Sequence, residues 1–315
     1  MLSYYKFNED GFTKGSEEEA DFLDLENPNP EEIQKIATKH DIPPLFLSDP
    51  LDPLERPRMD QEGPNTLIII RVPSHTARPH EQIEKWKRKP MTTTPLGIIV
   101  TEKKIVIVCR KLGLAQELLC RSSRKPRPRC PLSLIFKIFI ESSTDFIHHL
   151  EHLEELTDRA ELTLSRAQQN EEIMTLLTID KTLINFSVAL RSNRTIMEKL
   201  MDYPPLKLNP EELDLLEHGL TENQQAIFMA DIFGQVLGSM SDAFGTIISN
   251  NLNKVVKFLT GITIILMLPT FIVGAYGMNV NLPFDKHPYA FWIIVILCFI
   301  SCTLLWLFFA RKKWV

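Results

Sequence analysis

Residues 258–276 read FLTGITIILMLPTFIVGAY, and residues 289–310 read YAFWIIVILCFISCTLLWLFFA. Neither stretch holds a charged side chain, over 19 positions in the first and 22 in the second. A bilayer core about 30 Å thick takes roughly 20 helical residues to cross, so both have spanning length. A buried helical hairpin in a soluble core is the competing reading, but two such uncharged runs in succession are rare in soluble proteins. Basic residues set the direction. Lys254 and Lys257 flank the first run and Arg311, Lys312 and Lys313 follow the second, whereas the connection 277–288 holds one lysine and one aspartate. The positive-inside rule puts both termini in the cytoplasm and the short connection outside. Tyr276, Tyr289, Trp292 and Trp314 stand near the two interfaces, where amphipathic aromatics concentrate.

Upstream of the first run the helical pattern continues. Asn209-Pro210-Glu211-Glu212 supplies a capping residue, a proline suited to the first helical position and two acids for the positive end of the helix dipole. Apolar residues then recur at helical spacing through Leu213, Leu216, Leu220, Ile227, Phe233, Leu237 and Phe244, with no proline before Pro269. One helix of about 65 residues, roughly 100 Å at 1.5 Å per residue, is expected to run into the membrane, most of it standing in the cytoplasm as a stalk. Gly219, Gly234, Gly238 and Gly245 either weaken this helix or let helices pack closely, and both readings stay open.

The first half reads as mixed α/β. Asn29-Pro30-Glu31-Glu32 opens a helix expected to reach about Lys39. The stretch 49–58 carries three prolines and is expected to be irregular. Leu67 to Val72 and Leu96 to Val108 are expected as buried strands, with a polar connection over 74–90. From Pro131 the period becomes helical. Leu134, Ile138, Ser142, Asp145, Phe146, His149 and Leu153 begin a helix expected to reach about Gln169, and a second spans Glu171 to about Met201 before Pro204-Pro205. The expected organisation is an α/β cytoplasmic domain (1–130), a helical layer (131–208), a stalk helix (209–257), a first transmembrane helix (258–276), an outer loop (277–288), a second transmembrane helix (289–310) and a basic cytoplasmic tail (311–315).

The net charge of −5 excludes little. Arg121, Arg124, Lys125, Arg127 and Arg129 form the most basic stretch, but no aromatics interleave it; a solvated loop is expected and no nucleic-acid partner. The five cysteines form no CxxC pair, and Cys298 and Cys302 lie in an apolar helix where thiols act as small hydrophobes. The first residues lack the apolar core of a signal peptide, so the soluble part is expected in the cytoplasm. There is no GxxxxGK, HExxH or GxSxG, and no enzymatic activity is expected. Of His148, His149 and His152, His148 and His152 share a helical face but lack a third ligand or a nearby Cys, so the cluster reads as solvated helix surface, and Glu17-Glu18-Glu19 reads as a solvated turn.

The first apolar helix carries Asn253, Val256, Thr260, Thr263, Met267, Thr270 and Gly274 at steps of three and four. Such a small, weakly polar face suits either helix packing or a pore wall made of symmetric copies. Tyr276-Gly277-Met278-Asn279 follows at once, before a short loop, a second helix and the basic end Arg311-Lys312-Lys313-Trp314. Glu55-Arg56-Pro57-Arg58 precedes an apolar strand, and Asn253 stands ahead of Lys257, Leu259 and Thr260. Together these features resemble the CorA family of magnesium transporters along nearly the whole chain.

The resemblance implies a homopentameric funnel in the cell membrane, a plasma or inner membrane, with the long helix lining the pore and the second membrane helix outside it. It implies that Gly277, Met278 and Asn279 form the outer mouth and selectivity filter, with Asn279 holding Mg2+ through its hydration shell. It further implies polar pore positions at Asn253, Thr263 and Thr270 and a hydrophobic gate at Val256, Leu259 and Met267. Gly277 is expected to supply a backbone shape that a Cβ would block. The family's regulatory acids have no clear counterpart. The stalk position falls near Glu217-His218, and the α/β partner in a connection offering Glu81 and Glu84, so these three acids are the expected regulatory Mg2+ ligands. The rivals are a transporter of Co2+, Ni2+ or Zn2+ with the same architecture, and a receptor or scaffold merely tethered by two helices.

Overall fold

Leu67 to Val72 lie fully or largely buried in the penultimate strand of a seven-stranded sheet. The computed structural model describes residues 2–8, 11–74, 90–114, 131–164, 170–206, 208–278, 283 and 288–312. The basic stretch 121–129, Cys120, Cys130, Glu81, Glu84, Asn279, Lys313 and Trp314 lie outside the described residues. The chain divides into two compact units, Met1–Leu237 and Gly238–Val315.

In the first unit the strands are β1 (Leu2–Asn8), β2 (Gly11–Lys14), β3 (Phe22–Glu26), β4 (Arg58–Glu62), β5 (Asn65–Pro73), β6 (Thr93–Val100) and β7 (Ile105–Cys109), in the order β2-β1-β3-β7-β6-β5-β4. Only the β3–β7 pair is parallel. Helix α1 (Pro30–His40) and the short α2 (Pro44–Ser48) bury Ile36, Phe46 and Leu47 against Leu67, Ile69, Val106 and Val108 on one face. On the other face, α3 (Pro131–Leu164) and α4 (Asn170–Met201) bury Phe136, Phe139 and Met197 against Ile68, Ile70, Ile98 and Ile107. Covering both faces explains why these strands read as continuous apolar runs rather than alternating ones.

The segment from Leu96 to Val108 is not one strand. It turns back at residues 101–104, where the Thr101 hydroxyl accepts from the Lys104 N–H at 3.0 Å and donates to the Lys104 carbonyl at 2.8 Å. Strands β1 to β4 carry no clear strand pattern in sequence, because their pairing partners, not their own composition, make them strands. Asn29 caps α1 as expected, accepting from Glu32 N–H at 2.8 Å while Glu32 accepts from Asn29 N–H at 3.0 Å. Glu17 sits in a turn, yet it is not merely solvated: Tyr4 donates to it at 2.7 Å and Lys39 pairs with it at 2.5 Å.

Beyond the end of β4, the β5 edge is completed by a side chain. The buried Asn193 of α4 accepts from Arg71 N–H at 2.9 Å and donates to Arg71 C=O at 2.6 Å, as a neighbouring strand would. The proline-rich loop before β4 is fastened by Arg71, which donates to the carbonyls of Pro53 at 3.0 Å and Glu55 at 2.6 Å. The expected irregular stretch in fact opens with a 3-10 helix, Asp49–Leu51, whose Pro50 packs onto Gly97 of β6, where an added Cβ would collide with the proline ring. Gly97→Ala must therefore displace the loop, and overpacking of this kind costs about 1–3 kcal/mol. The expected result is a lower unfolding midpoint with membrane insertion intact, checked by a thermal melt of the detergent-solubilised chain.

The polar residues on the inner side of α3 are buried, including Ser142, Asp145, His149 and His152. The surface reading of the histidines therefore holds only for His148, which faces Glu151 at 3.3 Å. Asp24 of β3 is also buried. Burial, and then the neighbouring Glu26, raise its carboxyl from 3.8 to about 7. The folded chain holds that proton more tightly than the unfolded chain. Its stabilising contribution is complete below about pH 4 and is lost as pH rises through about 7. With a chelator present, Asp24→Asn should lessen the stability lost between about pH 5 and pH 8 by about 2–3 kcal/mol, read from denaturant midpoints of both proteins.

Helix α5 (Pro210–Tyr276) opens with a second capping box, Asn209 accepting from Glu212 N–H and Glu212 from Asn209 N–H, both at 2.9 Å. In the second unit its C-terminal part packs on α6 (Ala290–Arg311). Pro269 interrupts the hydrogen-bond ladder of α5, because it has no N–H to give the Ile265 carbonyl. The Cys302 thiol of α6 donates to that carbonyl at 3.6 Å. Cys302 is thus more than a small hydrophobe: it replaces the missing donor, as neighbouring helices do for prolines in lipid. Only 6% of the most apolar window of each of these helices is buried. That removes the reading of a hairpin inside a soluble core, whose side chains would be covered by protein.

Candidate functional site

Helical geometry divides α5 into two opposite faces within the second unit. Gly261, Ile265, Pro269, Ile272 and Tyr276 are buried or half-buried on the side of α6. Val256, Thr263, Met267, Thr270 and Gly274 fall about half a turn away at 3.6 residues per turn, and all are exposed. Leu259 and Asn253 flank this stripe and are exposed too. The small and hydroxyl residues of the stripe therefore do not serve packing between α5 and α6 of one chain.

The two threonines satisfy their hydroxyl hydrogens internally. Thr263 donates to the Leu259 carbonyl and Thr270 to the Leu266 carbonyl, both at 2.8 Å. This leaves each oxygen with acceptor capacity on the open face, able to receive a hydrogen bond from water. Val256, Leu259 and Met267 alternate with them as exposed apolar side chains, Met267 at 68% exposure.

At the end of α5 the ladder tightens. Gly277 N–H donates to Val273 C=O at 2.9 Å and shares Gly274 C=O at 3.2 Å, and Met278 N–H reaches Ala275 C=O at 3.3 Å. The Tyr276 hydroxyl donates to the Pro283 carbonyl at 3.3 Å, tying the connection after α5 to the helix end. Gly277 does not need its missing Cβ for conformation. Among the described glycines only Gly63 and Gly113 have positive φ, and a Cβ on Gly277 would meet Gly274 C=O at 3.4 Å and Val273 C=O at 3.5 Å, ordinary contacts. The expectation of a blocked backbone shape is corrected accordingly. Met278 is exposed, and Asn279 lies outside the described residues.

Of the expected regulatory acids, Glu81 and Glu84 lie outside the described residues, and Glu217 is exposed on α5. Next to it, His218 stands 4.0 Å from Glu222. Further along, Asp231 is held by both oxygens to Arg191, at 2.7 and 2.8 Å. An arginine so placed already supplies a positive partner for that carboxylate.

Two long apolar helices left exposed by their own fold define an integral membrane protein. A family model described as CorA-like Mg2+ transporter protein matches residues 17–312, and the chain belongs to that family. It is 27% identical over 303 residues to the "Cobalt/magnesium transport protein CorA" of Methanocaldococcus jannaschii, covering 93% of this chain and 91% of that protein. It is 21% identical over 292 residues to the protein of the same name from Thermotoga maritima, covering 90% and 80% respectively. The complete structure of the CorA magnesium transporter from Methanocaldococcus jannaschii superposes with a TM-score of 0.83 at 25% identity, over 100% of this chain and 99% of that one. The fold class, an α/β unit joined to one long helix and a second apolar helix, is thus that of CorA.

Proposed function

We propose that the chain conducts Mg2+ into the cytoplasm of its cell, passively, as a homopentamer in the plasma or inner membrane. The observation that carries this reading is the exposed stripe of α5, weakly polar and apolar by turns, which α6 leaves open and which ends at Gly277-Met278. Five copies facing one axis would turn this stripe into a pore wall. Asn253, Thr263 and Thr270 would contact the ion's water shell, and Val256, Leu259 and Met267 would close the path by dewetting. At the mouth, Gly277, Met278 and Asn279 would present amide and carbonyl oxygens. Mg2+ gives up water reluctantly, so neutral dipoles that bond its hydration shell select it without trapping it. A divalent ion entering down a 100 mV inside-negative potential gains roughly 4.6 kcal/mol, twice the single-charge value, and no nucleotide is needed.

With Lys254 and Lys257 before one span and Arg311 and Lys312 after the other, both termini would be cytoplasmic. Mg2+ would also regulate from that side, through Glu217 of one subunit with Glu81 or Glu84 of the next. Asp242 is the alternative further along α5, since Asp231 is occupied by Arg191. Co2+ conduction is the second reading, favoured by the cobalt in the names of two relatives.

The direct test is ion flux into liposomes holding the purified chain, with Mg2+, Co2+, Ni2+ and Zn2+ compared under an inside-negative potential. Mg2+ influx at least about tenfold above empty liposomes is expected. Its absence from protein that runs at a pentamer's mass in detergent would discard the conduction reading, and a monomer or dimer mass would favour a tethered receptor instead.

A further inference from the structure

Asp24 and Glu26 stand two residues apart on β3, so their side chains leave the same face of the sheet. Cys109 is the direct partner of Glu26 in the parallel β3–β7 ladder. One carboxylate oxygen from each acid and the Cys109 sulfur lie within 4.8 Å of one another. Asp24, Glu26 and Cys109 are 2%, 8% and 0% exposed. Asp24 Oδ1 is fully covered and has no hydrogen-bond partner among the described residues.

Such an oxygen is expensive to bury, because it has given up water and received no donor in return. Its neighbours do not cure this: Glu26 is an acceptor when ionised, and the Cys109 thiol already donates to the Lys111 carbonyl at 3.2 Å. The backbone meanwhile holds the other members in place. Gly113 N–H donates to Glu26 Oε1 at 2.5 Å, and the φ of +77° at Gly113 lets the segment after β7 turn back to do so. A cation among the three ligand atoms is the group that would satisfy Asp24.

We propose that Asp24, Glu26 and Cys109 form a binding site for a first-row divalent transition cation, Co2+ or Zn2+, distinct from the ion pathway of the second unit. The donor set decides the class. Mg2+ demands near-octahedral oxygen and keeps its waters, whereas Zn2+ and its like accept sulfur and carboxylate oxygen in tetrahedral sites, with bonds of about 2.3 and 2.0–2.2 Å. Those bonds set ligand atoms under about 4 Å apart, so a small inward shift of three side chains closes the site. On binding, the thiol proton and the proton that Asp24 holds below about pH 7 pass to solvent, and the thiolate and two carboxylates together outweigh the dication by one charge. The soluble unit would thereby detect a transition metal, as a function separate from moving Mg2+.

Co2+ is the probe, because a thiolate ligand gives it a sulfur-to-cobalt charge-transfer absorption in the near ultraviolet that oxygen ligands do not. Full-length chain in detergent, stripped with a chelator and titrated with Co2+, should show this band saturating at one ion per chain, displaced by Zn2+ and untouched by excess Mg2+. Cys109→Ser should abolish the band, the Cys298→Ser, Cys302→Ser double variant should keep it, and Asp24→Asn should weaken Co2+ binding at least tenfold with an unchanged circular dichroism spectrum. Absence of the band from folded wild type overturns the proposal, as does its survival in Cys109→Ser. Should Cys109→Ser fail to fold, Asp24→Asn decides: unchanged Co2+ affinity there overturns the site.

Discussion

Asn279→Ala is expected to lower Mg2+ uptake by about a hundredfold or more, with expression and oligomer mass unchanged. The reason lies in what the mouth must do. An ion that keeps its water shell can be chosen only by groups that bond that shell in the right geometry. At 277–279 the sequence offers a glycine, a thioether and one amide, so Asn279 is the only side chain there with a strong acceptor. A hydrogen bond in a charged setting contributes about 1.5–3 kcal/mol, and the upper value alone corresponds to about a hundredfold in rate. Because symmetry would repeat the loss in every subunit, the effect should not be smaller. Flux into liposomes, normalised to inserted protein, gives the measurement. Uptake within a few-fold of wild type would remove the selectivity role from Asn279.

Met267→Asp should do the opposite. It should make the closed state leak, raising Mg2+ flux at high cytoplasmic Mg2+ by about tenfold or more, and Leu259→Asn should do so more weakly. Met267 stands on the face of α5 away from α6 and is 68% exposed among the described residues. If that face lines a pore, closure relies on a narrow apolar ring that water will not fill, and a carboxylate there recruits water and attracts the cation. If the face meets lipid, the same substitution costs insertion energy and changes no conductance, since an aspartate at mid-bilayer costs about 2.5–3.5 kcal/mol on insertion scales. The two readings thus predict different observables, leak in one and poor membrane incorporation in the other. Closed-state flux equal to wild type in well-inserted protein would take Met267 and its stripe out of the pathway.

The regulatory acids show where inference from one chain stops. Glu217 is exposed on α5, as a ligand shared with a second subunit should be, whereas Asp231 is paired with Arg191, 40 residues earlier in sequence. That ion pair spans two helices, and no local pattern announces it.

Much of the molecule follows from the sequence alone, for local reasons. The two apolar helices are legible because lipid demands long uncharged runs. Both capping boxes are legible because their hydrogen bonds join residues three apart, Asn29 with Glu32 and Asn209 with Glu212. The family is legible because Gly277-Met278-Asn279 and its flanking spans form one short contiguous signature. Tertiary structure alone decided the rest, where the determining partner is far away in sequence. Only the fold shows Asn193 acting as a strand for Arg71, Cys302 serving the carbonyl that Pro269 orphans, and Pro50 forbidding a side chain at Gly97. Only the parallel pairing of β3 with β7 brings Cys109 beside Asp24 and Glu26 across more than 80 residues of chain. Lone acids two apart in a short strand carry no signal of burial; the sheet supplies it by covering both faces, and burial then turns two ordinary carboxyls and a thiol into a candidate metal centre.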